Sequence, residues 1–271
     1  MAHHNRFGSA IISFMRVLPA VVVLLASALL GQEPKLDTAK LNGEATVELT
    51  FHNPKPPMAT LVLKEVERGT RAGLKTVSYS ASVAGLSQKK PYSLMSWDVG
   101  TDAPVIAIQG VRIDESGTLR CGSAKDCPTA QEGDVLQLRV TGMIGQPRRF
   151  VLTGSDKKPV ALGEAVPFPA VGKDNECTIE AVILRPNASA VLLIGQGFVP
   201  GEEVKRLSTS SGETVGGTSK ADTNGRVLSL DLPFVKGYDH GQTSYNYQGS
   251  KCHPTTTFNW GSYREEQSDG P

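Results

Sequence analysis

Residues 177–260 repeat one phrase: a short apolar or alternating run, a turn of Gly, Asp, Asn or Pro, then another run. The clearest case is 195–204, Gly-Gln-Gly-Phe-Val-Pro-Gly-Glu-Glu-Val. Here Pro200 presets its own backbone and Gly201 accepts a left-handed turn, with Phe198 beside them as an apolar anchor. The same cadence returns at 226–232, 242–248 and 255–260. About seven strands within roughly 85 residues is the spacing of a small β-sandwich. Such a chain has few alternatives, because runs this short cannot bury a helical face.

The upstream half reads the same way. In 45–51, Ala45, Val47, Leu49 and Phe51 alternate with polar residues, which predicts a half-buried strand. Further strands are expected at 61–66, 76–83, 92–99, 105–113, 118–120, 135–140, 149–153 and 160–162. Asp114-Glu115-Ser116-Gly117 reads as a hairpin turn, and no amphipathic helix of sufficient length is expected. Val166-Pro167-Phe168-Pro169 opens a stiff connector. The expected fold is all-β, with two tandem sandwiches. Residues 1–31 form a signal peptide, 32–42 an exposed lead, 43–165 the first sandwich, 166–174 a linker, 175–261 the second sandwich and 262–271 a disordered tail.

The leader reading rests on Arg6 and Arg16 before and beside an apolar run at 17–30, too short for a membrane span, followed by Ala26-Ser27-Ala28. Cleavage is expected after Ala28 or after Gly31, which leaves no membrane segment; the alternative is an uncleaved membrane anchor, which Pro19 and the short apolar run disfavour. The chain carries 28 Lys and Arg against 27 Asp and Glu; without Arg6 and Arg16 the balance is 26 to 27. A mature chain so close to neutrality argues against a nucleic-acid partner. Four cysteines in an exported chain imply disulfides, with three possible pairings. Cys121–Cys127 with Cys177–Cys252 is preferred, since each pair then stays inside one expected domain. The alternative, a zinc site, needs tighter ligand spacing.

Two stretches resemble known families. Leu86 precedes Tyr92 by six residues just before an apolar run, which resembles the tyrosine corner of fibronectin type III and related immunoglobulin-like domains. Gln88 stands where that family usually has a proline. The resemblance implies a structural role for Tyr92, its hydroxyl bonded to backbone across the corner. Gly197-Phe198-x-Pro200-Gly201-Glu202-x-Val204, followed by Ala221-Asp222-x-x-Gly225-Arg226, is similar to bacterial extracellular immunoglobulin-like repeats. That similarity implies an immunoglobulin-like sandwich serving as a spacer or binding module on secreted proteins. The same turns are loosely similar to the neocarzinostatin-type fold. The cysteine pattern departs from that family, and its small-molecule cleft is not carried over.

Motifs for catalysis are not evident. No Gly-x-Ser-x-Gly elbow occurs, and Gly216-Gly217 lacks the strand-to-helix context of a phosphate loop. His240 and His253 lack metal-ligand spacing, so no metal or cofactor is expected. The aromatic residues carry more. Tyr245 and Tyr247 are two apart, as are Phe258 and Trp260, so each pair shares a strand face. Phe258, Trp260 and Trp97 are expected in the core. Tyr245 and Tyr247 either join them or form an exposed platform for a sugar or a protein, with Asn246 and Gln248 between and beyond. The expected function is a non-catalytic, exported binding or structural module acting on envelope polysaccharide or another extracellular protein. A rigid sandwich would hold a loop end or an aromatic sheet face, so that binding loses little ordering entropy. The alternatives are a secreted polysaccharide-acting enzyme or a small-molecule carrier.

Overall fold

A computed structural model describes residues 38–52, 58–71, 73–101, 103–123, 125, 127 and 131–261. The expected signal peptide and C-terminal tail lie outside the described residues. Among the described residues, one helix, α1 (Thr38–His52), precedes sixteen strands. The first eight are β1 (Ala59–Arg71), β2 (Leu74–Val83), β3 (Tyr92–Asp98), β4 (Val105–Ile113), β5 (Leu119–Arg120), β6 (Gln137–Thr141), β7 (Arg148–Thr153) and β8 (Pro159–Ala165). The remainder are β9 (Ala170–Asp174), β10 (Cys177–Ile183), β11 (Val191–Gln196), β12 (Glu203–Ser210), β13 (Glu213–Lys220), β14 (Val227–Asp231), β15 (His240–Gln248) and β16 (Thr255–Gly261). The described residues are all-β apart from α1. Among the described residues, no helix is long and apolar enough to cross a membrane.

The first module is one sheet in the order β5-β4-β3-β7-β8-β1-β2-β6. Strand β1 joins its two halves by changing partners. Ala59 and Thr60 pair in parallel with β8, and Leu61–Arg71 then pair antiparallel with β2. The sheet's ends also meet: the Leu136 amide donates to the Leu119 carbonyl at 2.9 Å, and the Cys121 amide to that of Asp134 at 2.9 Å. The period-two pattern of β2 turns Val77, Tyr79, Ala81 and Val83 inward against Leu94, Val111, Leu138 and Phe150.

The second module is a sandwich of two four-stranded sheets, β14-β11-β10-β9 and β13-β12-β15-β16. Ile179, Ile183 and Leu193 from one sheet meet Val204, Phe258 and Trp260 from the other. Full burial of each such side chain contributes roughly 1.5–3 kcal/mol. Pro200-Gly201 forms the turn into β12: the Glu202 amide donates to the Val199 carbonyl at 3.1 Å, and Gly201 sits at φ 78°.

The modules share one strand order. In the first, β1 pairs with β2, β2 with β6, β3 with β4, β3 with β7, and β7 with β8. In the second, β10 pairs with β11, β11 with β14, β12 with β13, β12 with β15, and β15 with β16. All ten pairings are antiparallel and fall in the same sequence, with β5 and β9 left as additions.

Both cysteine pairs are disulfide-bonded, Cys121 to Cys127 and Cys177 to Cys252, each with its Cα atoms 6.0 Å apart. The second bond ties the start of β10 to the β15–β16 loop, and so one sheet to the other. Such bonds fit an oxidising compartment.

Three expectations are corrected. Residues 45–51 are not a strand, and 38–42 are not a free lead; both belong to α1. On a helix, residues four apart share a face, so this alternating sequence makes two apolar stripes. Leu41, Ala45 and Leu49 pack on Val182, Leu184, Leu192 and Ile194, whereas Val47 and Phe51 pack on Val151, Leu162 and Trp97. The helix is held between the outer faces of both modules, and a strand could not reach two surfaces in this way. Ion pairs lie along it. Glu44 pairs with Arg185 at 3.2 Å, and the fully buried Glu48 pairs with Arg149, which also reaches Glu164 at 3.1 Å. Trp97 accordingly lies on the outside of β3 under α1, edge-on to Phe51 at 5.8 Å, rather than between sheets. Finally, 166–174 is not a plain connector. Phe168 packs on the first core beneath Arg68 at 5.2 Å, and 170–174 is β9, already paired with β10.

Candidate binding surface of the second module

Strand β15 runs between β12 and β16, so one face must meet the opposite sheet and the other water. Its inward face carries Thr243, Tyr245 and Tyr247, all buried, and both tyrosines are 1 % exposed. The Tyr245 ring stacks on Phe258 at 5.8 Å, and Tyr247 lies 6.3 Å from Phe198. This corrects the exposed tyrosine platform. A two-sheet core needs large rings, and the polar alternates are the ones that face out. Asn246 bonds to the Thr255 hydroxyl at 2.8 Å, and Gln248 to Asn246 at 2.8 Å. Phe258 and Trp260 are core residues, and the Trp260 indole donates to the Ser210 hydroxyl at 2.9 Å.

The tyrosine hydroxyls end at a cleft of about 180 Å³. It opens where β13 and β14, consecutive in the chain, belong to different sheets. Arg206 and Ser208 line it from β12, Gly216 and Gly217 from β13, and Ser229 and Asp231 from β14. The Tyr247 hydroxyl is bonded to Ser229. The Tyr245 hydroxyl and the Arg206 Nε are buried without a hydrogen-bond partner. Burial, and for Tyr245 also the neighbouring Asp231 carboxylate, pushes both phenols above their ordinary range. They are donors at any physiological pH. A Cβ at position 217 would stand 3.3 Å from Arg206 Nη2, so glycine there leaves the guanidinium its place.

Exposed aromatic residues occur elsewhere, on the loop after β14. Phe234 is 47 % and Tyr238 59 % exposed, while Val235 between them is buried in the core. The loop is fastened at its Pro233 end and closed by a local turn at Tyr238. Ser210 donates to the Pro233 carbonyl at 2.6 Å, and the Tyr238 amide closes a turn on the Val235 carbonyl at 3.2 Å. The alternation test overlooks this pair because Phe234 and Tyr238 lie in no strand. The signal that would find them is their setting, Pro233-Phe234-Val235-Lys236-Gly237-Tyr238: aromatic residues between Pro and Gly have no periodic core face to occupy.

Tyr92 donates its hydroxyl to the Ser87 carbonyl at 2.9 Å, the corner bond that its resemblance implies. Among the described residues, no three His, Cys, Asp or Glu side chains converge as a metal site. No protein-family model matches the chain, and no curated protein matches it.

Proposed function

We propose that this protein is an exported, non-catalytic binding module acting at the cell envelope or outside the cell, built from two tandem immunoglobulin-like sandwiches. Export is supported by the basic, apolar leader sequence and by the two disulfides. The immunoglobulin-like reading is supported by the shared strand order, in which the second strand pairs with the strand before last but one, and the third pairs with the last but one. The motif around Phe198, Pro200 and Gly201 agrees with it.

The observation that carries the binding reading is the Phe234–Tyr238 loop. Two large aromatic side chains stay in water while the backbone beneath them is fixed through Val235, Pro233 and Ser210. Exposed aromatic side chains on a fixed loop give contact area with little ordering entropy to lose. The partner is envelope polysaccharide or another extracellular protein, met by ring stacking rather than by charge. Co-sedimentation with insoluble polysaccharides and cell-envelope preparations tests this. Wild-type protein is expected to be retained, and a Phe234→Ala/Tyr238→Ala variant to be released with its urea midpoint little changed. Retention equal in both would discard the loop; no retention on any matrix would remove the adhesive reading.

A further inference from the structure

We infer that the cleft between β12, β13 and β14 is a second binding site, taking one neutral, hydroxyl-rich sugar unit. It stands apart from the aromatic loop and rests on different residues. Two buried donors at its floor, the Tyr245 hydroxyl and the Arg206 Nε, form no hydrogen bond of good geometry, although Ser208 and the Asp231 carboxylate stand beside the Tyr245 hydroxyl and nearly all buried polar groups in native proteins are paired. The Asp231 carboxylate lines the same space, its Oδ1 already accepting from the Leu232 amide at 2.8 Å.

The charge pattern selects the ligand. An anion would suit Arg206 but meet Asp231, and a cation the reverse. A hydroxyl group accepts from Tyr245 or Arg206 and donates to Asp231 or Ser208, so neighbouring hydroxyls satisfy both signs at once. Leu207 and the exposed Val215 offer apolar surface to the C–H face of a ring. The cleft, of about 180 Å³, is small, which suits a single unit rather than a chain. A free monosaccharide and the terminal unit of a glycan present this same chemistry.

The test is a titration of the ¹⁵N-labelled protein, following the amides of Gly216, Gly217 and Ser229. The probes are glucose, galactose, mannose and N-acetylglucosamine, their disaccharides, and sodium benzoate as an anion. At least one sugar is expected to shift these amides in the millimolar range, while benzoate does not. Shifts from monosaccharides assign a free sugar, and shifts from disaccharides alone assign a glycan end. Tyr245→Phe removes only a hydroxyl that forms no hydrogen bond of good geometry. It should fold with an unchanged or higher melting temperature and bind about tenfold more weakly. Phe234→Ala/Tyr238→Ala should leave the titration unchanged, so this proposal and the adhesive reading fail separately. No response to any sugar, a response to benzoate alone, or equal affinity in Tyr245→Phe would overturn it.

Discussion

Asp114 and Asp222 occupy equivalent corners of the two modules and are held by the same bonds. Asp114 Oδ1 accepts the amides of Ser116 and Thr118, both at 2.9 Å; Asp222 Oδ1 accepts those of Asn224 and Arg226 at 2.8 and 2.9 Å. Each turn ends in a glycine at positive φ, Gly117 at 84° and Gly225 at 71°. The carbonyls of these glycines accept from Val83 and Phe198, at the end of β2 and just past β11. A Cβ would meet backbone oxygen at 2.5 and 2.1 Å, so only glycine fits either corner. The Ser116 hydroxyl first and the Arg120 guanidinium next hold Asp114 down at about 2. The amides of Arg226 and Asn224 hold Asp222 below the ordinary carboxylate range. With the folded values below an unfolded value of about 3.9, this stabilisation is complete above that pH and is lost as pH falls from about 4 toward 2. Urea midpoints measured between pH 5 and 2 should therefore fall for the wild type. Asp114→Asn/Asp222→Asn should show a lower midpoint at pH 5 and a shallower fall; an identical slope would show that these bonds do not carry the acid sensitivity. Both turns are plain in the sequence as Asp-x-x-Gly, because every bond within them lies within four residues.

Helix α1 is the element that sequence periodicity misassigns. Ala45, Val47, Leu49 and Phe51 alternate like a half-buried strand, and Thr46 and Thr50 favour extended backbone. In the helix both threonine hydroxyls bond back to the carbonyls four residues earlier, Asn42 and Thr46, at 2.8 and 2.9 Å. What decides the matter is that two apolar sheet faces flank the segment, and a helix alone covers both. The pattern holds no trace of those faces, since they come from other strands, at Trp97, Val151 and Leu162 and within 182–194. Phe51 is buried against Trp97 and lies 5.6 Å below the Arg149 guanidinium. Phe51→Ala should cost about 3–5 kcal/mol by urea unfolding, the usual range for a buried ring. A loss under about 0.5 kcal/mol would mean that α1 adds nothing to the cooperative core. At the same scale, β15 was legible as a strand with two tyrosines on one face. Which face turns inward was not, because that depends on the sheet lying opposite.

Taken whole, the molecule uses one strand order twice and closes each copy with a disulfide of different reach. Cys121–Cys127 spans six residues and Cys177–Cys252 spans 75. Chain entropy makes these worth about 2 and about 4 kcal/mol. Cys177→Ala/Cys252→Ala should therefore lower the urea unfolding free energy about twice as far as Cys121→Ala/Cys127→Ala. Equal losses would point to strain or to structure in the unfolded chain. The β class and the turn positions followed from residue type and spacing, the cysteine pairing from keeping each pair inside one expected domain, and the Tyr92 corner bond was implied by a resemblance; each depends on near neighbours or on simple closure. The helix at 38–52, the inward turn of Tyr245 and Tyr247, the cleft above them and the exposure of Phe234 and Tyr238 were decided only in the tertiary structure. Each of those depends on which surface packs opposite, and that surface is supplied by chain far away in sequence.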